Sequence, residues 1–165
     1  MEKDPIRPIY HSLEKSSLII IACAIPVFAI VYLISQNNTL DLDRPDLPII
    51  IDYVLLGCIY AVLAVSYLNF QNAIKATLKA PMELINKVNI YKTATLNRLK
   101  LLLLCSILSP LGLYLFENNG YIIAYAITLA LLSLGKPSPD RMVRLMRLKG
   151  EERERVIRIK TREES

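Results

Sequence analysis

Residues 17–35 read SLIIIACAIPVFAIVYLIS, an apolar stretch without a charged residue. A bilayer core of about 30 Å takes about 20 helical residues, or about 17 at the short end, so this block is long enough to cross it. A helix of a soluble protein keeps a polar face, and the segment from Leu18 to Leu33 offers almost none. The stretch therefore predicts a membrane-spanning helix and disfavours a soluble helical bundle.

Further apolar blocks follow at about residues 48–70, 97–116 and 120–135. The first of these is long enough to cross a bilayer. The next is long enough if Arg98 and Lys100 extend their charged ends to water at the interface. The last is short and reaches the required length by including Asn118 and Asn119. The chain thus carries four candidate membrane-spanning helices.

These blocks predict an all-α fold, a four-helix transmembrane bundle with short cytoplasmic amphipathic helices at its C-terminus. We expect the transmembrane domain over residues 1–136, with helices at about 17–35, 48–70, 97–116 and 120–135, and a cytoplasmic helical tail over 137–165. The short connections at 36–47 and 117–119 favour two helical hairpins. No pair of small residues suited to cleavage follows the first block, so we interpret it as a retained anchor.

The basic residues are distributed unevenly along the chain. All but one of the 20 Lys and Arg residues lie in the N-terminal tail, around the junction of the second and third blocks, or in the C-terminal tail, and the exception is Arg44. In a four-pass arrangement those three segments share one side, and an excess of Lys and Arg is typical of the cytoplasmic side. We predict a bacterial inner membrane protein with both termini in the cytoplasm.

The tyrosines indicate the same arrangement. One lies within a turn or two of the predicted outer end of each helix, and these are Tyr32, Tyr53, Tyr114 and Tyr121. A tyrosine ring is apolar along its body and polar at its tip, so it is best solvated where hydrocarbon meets water. We therefore expect an aromatic belt at the outer interface.

The C-terminal tail begins with a helix-start signal. Ser138 is a suitable N-cap, Pro139 suits the first helical position, and Gly150 can end the helix in the left-handed conformation. One arc of this helix holds Arg141, Arg144 and Arg147, and the opposite arc holds Met142, Leu145 and Met146. Three interpretations stay open: packing under the bundle with the arginines in water, contact with anionic lipid headgroups, and docking of a partner protein.

The sequence carries no motif for catalysis, metal binding or nucleotide binding. It has no glycine-rich phosphate loop, no HExxH and no serine elbow. Its single histidine, His11, lies in the polar tail, and Cys23, Cys58 and Cys105 sit singly in apolar blocks as small buried hydrophobic residues. We predict a non-enzymatic protein without a cofactor. Acidic residues interrupt the basic run of the C-terminal tail, which disfavours nucleic-acid binding.

Two polar residues of the second block form a candidate intramembrane site. Asp52 is the acidic residue within the apolar blocks, and Tyr60 lies near mid-membrane. An intramembrane carboxylate is by default a functional hypothesis, and Pro26 and Pro110 can kink their helices. These features favour an alternative function, a subunit of a small oligomeric transporter or channel. The leading hypothesis is an accessory or assembly component whose basic cytoplasmic face contacts anionic lipid, a partner protein or another copy.

Overall fold

The computed structural model describes residues 6–37, 47–79 and 82–161, and these ranges are almost entirely helical. In chain order the helices are α1 (Ile6–Asn37), α2 (Ile49–Lys79), α3 (Leu84–Phe116), α4 (Gly120–Gly135), α5 (Pro139–Met146) and α6 (Gly150–Thr161). The predicted all-α fold is confirmed. The four apolar blocks lie on α1 to α4, and the C-terminal tail forms α5 and α6.

Three of these helices are long and apolar enough to cross a membrane: α1 over Ile6–Leu33, α2 over Ile49–Lys79 and α3 over Leu84–Phe116. In α1 only 11% of the apolar window is buried inside the protein, so most of that surface requires an apolar solvent. The helices therefore indicate a membrane protein.

The fourth apolar block gives a shorter helix. With 16 residues, α4 is about 24 Å long, which is less than a bilayer core of about 30 Å. It reaches the length of a span only when α5 is counted with it, and the two helices stand at 91° to each other. The described chain thus holds three candidate spans, or four if this bent pair is one.

Helix α3 is the centre of the bundle, because it packs against α1, α2 and α4. It runs antiparallel to α4, with Gly112 beside Tyr121 and Leu99 beside Gly135, so the second predicted hairpin is a packed pair. Direct contact between α1 and α2 is slight within the described residues. The two helices of the first predicted hairpin, α1 and α2, therefore pack mainly on α3 and only slightly on each other.

The bundle has two distinguishable ends. At the proximal end α1 and α3 begin and α2 and α4 finish, and at the distal end α3 turns into α4. A central cluster of buried side chains lies between the two ends: Ala24, Ile59, Leu63, Leu99, Leu102, Cys105, Leu113, Tyr121, Ala124 and Leu132. Two buried hydroxyl groups of α3 and α4 bond within their own helices, since Ser109 donates to the carbonyl of Cys105 and Thr128 to that of Ala124.

A second cluster closes the proximal end and includes the C-terminal tail. It contains Ile6, Tyr10, Leu13, Phe70, Ile74, Leu84, Val88, Tyr91, Met142, Met146, Leu148 and Val156. The Tyr10 hydroxyl donates to the carbonyl of Pro137 at 3.4 Å, and Lys87 pairs with Glu152 at 3.0 Å. Helix α1 begins well before the predicted residue 17 because its first turns bury apolar side chains in this proximal cluster.

The predicted N-cap of α5 is confirmed, and the residue at which α5 ends differs from the prediction. Ser138 caps α5 by accepting a hydrogen bond from the backbone N–H of Arg141 at 3.2 Å, and Pro139 occupies the first turn. The helix ends at Met146, with Arg147 in the left-handed conformation at φ 50°. Gly150 also has a positive φ, but it begins α6 and does not end α5.

Candidate functional site

The predicted polar residue Asp52 lies in a hydrogen-bond network at the distal end. One of its carboxylate oxygens accepts from Asn118 Nδ2 at 2.8 Å, and Asn118 Oδ1 accepts from the backbone N–H of Gly120 at 2.9 Å. Asn118 thereby bridges the first turn of α2 and the α3–α4 turn. The positive end of the α2 dipole also favours a carboxylate at this position.

The structure brings the second predicted residue, Tyr60, to the same network. Its hydroxyl donates to the carbonyl of Gly120 at 3.3 Å, and Tyr60 lies about two α2 turns after Asp52. The Tyr121 hydroxyl donates to the backbone carbonyl of Asp52 at 3.1 Å. Tyr60 and Asp52 thus hold α2 against the turn between α3 and α4, and both have a structural role there.

Tyr121 does not belong to an outer belt. Its side chain is 0% exposed, stacks with Phe116 and packs against Gly112. The prediction of an interfacial ring at this position was wrong, because sequence position alone does not tell which face of α4 meets α3. Tyr53, in contrast, is 65% exposed and is free to occupy an interface.

The network leaves one oxygen of the Asp52 carboxylate without a hydrogen bond from the described residues. The side chain is 7% exposed, and its Oδ1 has no hydrogen-bond partner among the described residues. A buried carboxylate oxygen without a donor is costly by about 1–3 kcal/mol, so it is a place where a proton or a cation would be stabilising. The described residues contain no group of three or more His, Cys, Asp or Glu side chains suited to a metal ion.

The cysteines divide between the interior and the surface. Cys105 is buried and its thiol lies 3.9 Å from the carbonyl of Ile59, as expected for a small core residue. Cys23 and Cys58 are exposed on the outside of the bundle. The prediction of three buried thiols was therefore wrong for these two, because an apolar block places residues against lipid as readily as in the core.

The six predicted contact residues of α5 face in different directions. Met142 and Met146 are 0% and 3% exposed in the proximal cluster, where they attach α5 to the bundle. Arg144 and Arg147 are exposed, while Arg141 and Leu145 are half-buried. The two methionines of the apolar stripe are thus held in the protein's own core, and two of the three arginines are presented outward.

The described residues also form a groove that the sequence interpretation missed. It lies between α2 and α3 toward the proximal end, and its volume is about 400 Å³. Its lining is rich in amide and hydroxyl side chains, with Ser66 and Asn69 from α2 and Asn89, Thr93 and Asn97 from α3. Arg98 lines the same groove.

Arg98 does not extend to water, and that prediction was wrong. The side chain is only 5% exposed, its guanidinium lies 5.0 Å from the centre of the Phe70 ring, and its Nε has no hydrogen-bond partner among the described residues. Burial of a charge costs several kcal/mol, and a cation–π contact returns about 0.5–2 kcal/mol. The groove therefore contains a cation whose burial the described protein groups offset only in part.

A sequence signal for this groove does exist. Asn89, Thr93 and Asn97 follow one another at intervals of four residues, so they share one face of α3. The signal is weak because such a row is equally typical of a solvated helix face. Only the packing of α2 shows that the row borders a groove with a buried arginine.

Comparisons with protein families, with characterised proteins and with solved structures find no match to this chain.

Proposed function

We propose that this chain is a non-enzymatic, multi-pass accessory or assembly component of a bacterial inner membrane, with both termini in the cytoplasm. In this proposal α4 is the fourth span, and the proximal end is the cytoplasmic end. The exposed basic side of α5 and α6 contacts anionic lipid headgroups there. The orientation is supported by the arginine-rich tail and by the distribution of Lys and Arg, since all but one of them fall in segments that a four-pass arrangement places on one side.

The observation that carries the proposal is the division of α5 into a buried and an exposed side. Met142 and Met146 are held in the proximal cluster, which fixes the rotation of the helix about its axis. Arg144 and Arg147 consequently point away from the bundle. Because α5 stands at 91° to α4, the helix that carries these arginines lies across the proximal end of α4 and does not continue its axis. Each basic residue near an anionic surface contributes about 1 kcal/mol.

The test compares nanodiscs of phosphatidylcholine alone with nanodiscs that also contain phosphatidylglycerol. We expect the anionic lipid to slow amide hydrogen exchange in α5 and α6, and we expect Arg144→Gln with Arg147→Gln to remove most of that protection. Substitutions are preferable to deletion of residues 137–165, because deletion would also remove Met142 and Met146 from the proximal cluster.

The matched control removes two exposed charges from the same end, by Lys75→Gln with Lys79→Gln on α2. This control should keep the protection of α5 and α6. Equal exchange in the two kinds of nanodisc would argue against lipid contact, and equal effects of the two double variants would show that α5 is not the contact surface.

One observation favours a second function, a subunit of a small oligomeric transporter or channel. The buried carboxylate of Asp52 has an oxygen without a partner among the described residues, which is the kind of site that binds a proton or a cation. Protein reconstituted in vesicles should then carry a proton or cation flux that Asp52→Asn abolishes. Flux that survives this substitution would exclude Asp52 from the mechanism, and an absence of flux in wild type would exclude the transporter function.

A further inference from the structure

The described lining of the α2–α3 groove holds the buried cation of Arg98 without an acidic side chain beside it. Among the residues that the structure describes, the charged and titratable groups that act on Arg98 are Arg141 from α5, Tyr67 from α2 and Tyr91 on α3, and the groove lining contains no carboxylate. Arg141 adds a second positive charge. An arginine inside a membrane protein ordinarily faces an acid, a backbone carbonyl or a water-filled cavity, and here Arg98 lines an open groove whose mostly apolar wall also carries amide and hydroxyl side chains. The groove is therefore electropositive at its floor.

The rim of the groove supplies neutral hydrogen-bond donors from both helices. Asn69 on α2 and Asn89, Thr93 and Asn97 on α3 are exposed at its border, around the buried Arg98. An asparagine amide provides two N–H donors and a threonine hydroxyl provides one. Donors that come from two helices can surround an anion with several oxygens. A volume of about 400 Å³ is within the usual range for small-ligand sites.

We propose that the α2–α3 groove is a binding site for a phosphate group, with Arg98 as its central ligand. A guanidinium matches the geometry of phosphate with two parallel N–H bonds, and the amides and the hydroxyl satisfy the remaining oxygens. The phosphate belongs either to the headgroup of a lipid or to a soluble molecule. The site is separate from the exposed Arg144 and Arg147, so it stands whether or not that surface contacts lipid.

The experiment uses the full chain in dodecyl maltoside, a detergent without phosphate. Calorimetric titrations measure the binding of dihexanoyl phosphatidic acid, of inorganic phosphate, and of dihexanoylglycerol, which has the same acyl chains and no phosphate. We expect saturable binding of at least one phosphate compound and none of dihexanoylglycerol. Arg98→Gln should weaken the binding at least about tenfold, and Arg98→Lys should weaken it less, because it keeps the charge and loses the two-pronged geometry.

The matched control is Lys100→Gln, which removes an equal charge from an exposed position of α3 two residues away. The affinity of this variant for the phosphate compounds should equal that of the wild type. Since Arg98→Gln risks loss of the fold, a second variant, Asn69→Leu with Thr93→Leu, obstructs the rim and leaves Arg98 in place. It should also weaken binding.

The outcomes separate the sources of phosphate and can overturn the site. Binding of phosphatidic acid alone assigns a lipid headgroup, and binding of inorganic phosphate assigns a soluble phosphate compound. An absence of binding by both compounds would overturn the proposal. Equal losses in Arg98→Gln and Lys100→Gln, or unchanged affinity in the rim variant, would do so as well, because they would show attraction to the general positive charge.

Discussion

Gly112 on α3 lies directly against the ring of Tyr121 on α4, so closely that the space of a Cβ is already occupied by the ring. The same ring carries the hydroxyl that donates to the backbone carbonyl of Asp52. The absence of a side chain at Gly112 thus allows Tyr121 to pass between α3 and α4 and reach α2. One glycine sets the spacing of three helices at the distal end.

Substitution of this glycine should disturb the distal end. We expect Gly112→Ala to lower the free energy of unfolding by about 1–3 kcal/mol, because the added methyl group displaces a buried ring with little room to move. The control is Gly57→Ala on α2, where a Cβ meets nothing within 4 Å. It should be neutral or stabilise by up to about 1 kcal/mol, since alanine favours a helix. Thermal unfolding in detergent, followed by circular dichroism, measures both.

Asn118 should contribute more to stability than its exposed neighbour. Asn118→Ala removes the donor to Asp52 and the acceptor for the Gly120 N–H, so a buried carboxylate loses its hydrogen bond. We expect a loss of about 1–3 kcal/mol in the free energy of unfolding. Asn119→Ala is the control, because that side chain is exposed and makes no capping bond to α4. Equal stability of the two variants would contradict the role of Asn118 as a bridge.

The helices of this chain were predictable because apolar blocks bounded by polar residues require no knowledge of their neighbours. The cap at Ser138 was predictable for the same reason, since its hydrogen bond to Arg141 is made within four residues. Local chemistry also indicated the two sides of α5. What local chemistry did not reveal was that Met142 and Met146 are buried in a cluster with side chains from α1, α2 and α3.

The remaining differences arise from which face of a helix meets another helix. In an apolar block almost every face is compatible with lipid, so periodicity does not tell that Tyr121 is buried and Cys58 is exposed. Arg98 illustrates the same limit, because a long basic side chain at a block boundary usually reaches water. It is buried here because α2 places Phe70 against it.

The ion pair between Lys87 on α3 and Glu152 on α6 should hold the last helix in place. Glu152→Gln is expected to weaken the docking of α6 by about 0.2–1 kcal/mol, because the two charged groups are 3.0 Å apart and both are partly exposed to solvent. The effect should shrink as salt is added, because mobile ions screen such pairs. Hydrogen exchange of the α6 amides at low and high salt measures it.

The control for this pair lies within α6 itself. Glu154 and Arg158 are 3.7 Å apart and largely exposed, so Glu154→Gln should leave the exchange of α6 almost unchanged. If the two glutamate substitutions had the same effect, α6 would be held by its buried Val156 and not by the ion pair.

The end of α5 provides a prediction about backbone conformation. Arg147 has a φ of 50°, a conformation that costs a residue with a Cβ about 1–2 kcal/mol. Arg147→Gly removes that strain and adds entropy to the unfolded chain, which offsets about 0.4–1 kcal/mol of the gain.

We therefore expect Arg147→Gly to raise the free energy of unfolding by about 0.8 kcal/mol, the difference between the midpoints of these two effects. Arg144→Gly, within α5, should lower it by about 1 kcal/mol because glycine is a poor helix former. Unfolding in phosphate-free detergent, with no anionic lipid present, compares the two variants without any contribution from headgroup contacts. Should both prove equally destabilising, the Arg147 side chain would be making a stabilising contact of its own that outweighs the strain at the end of α5.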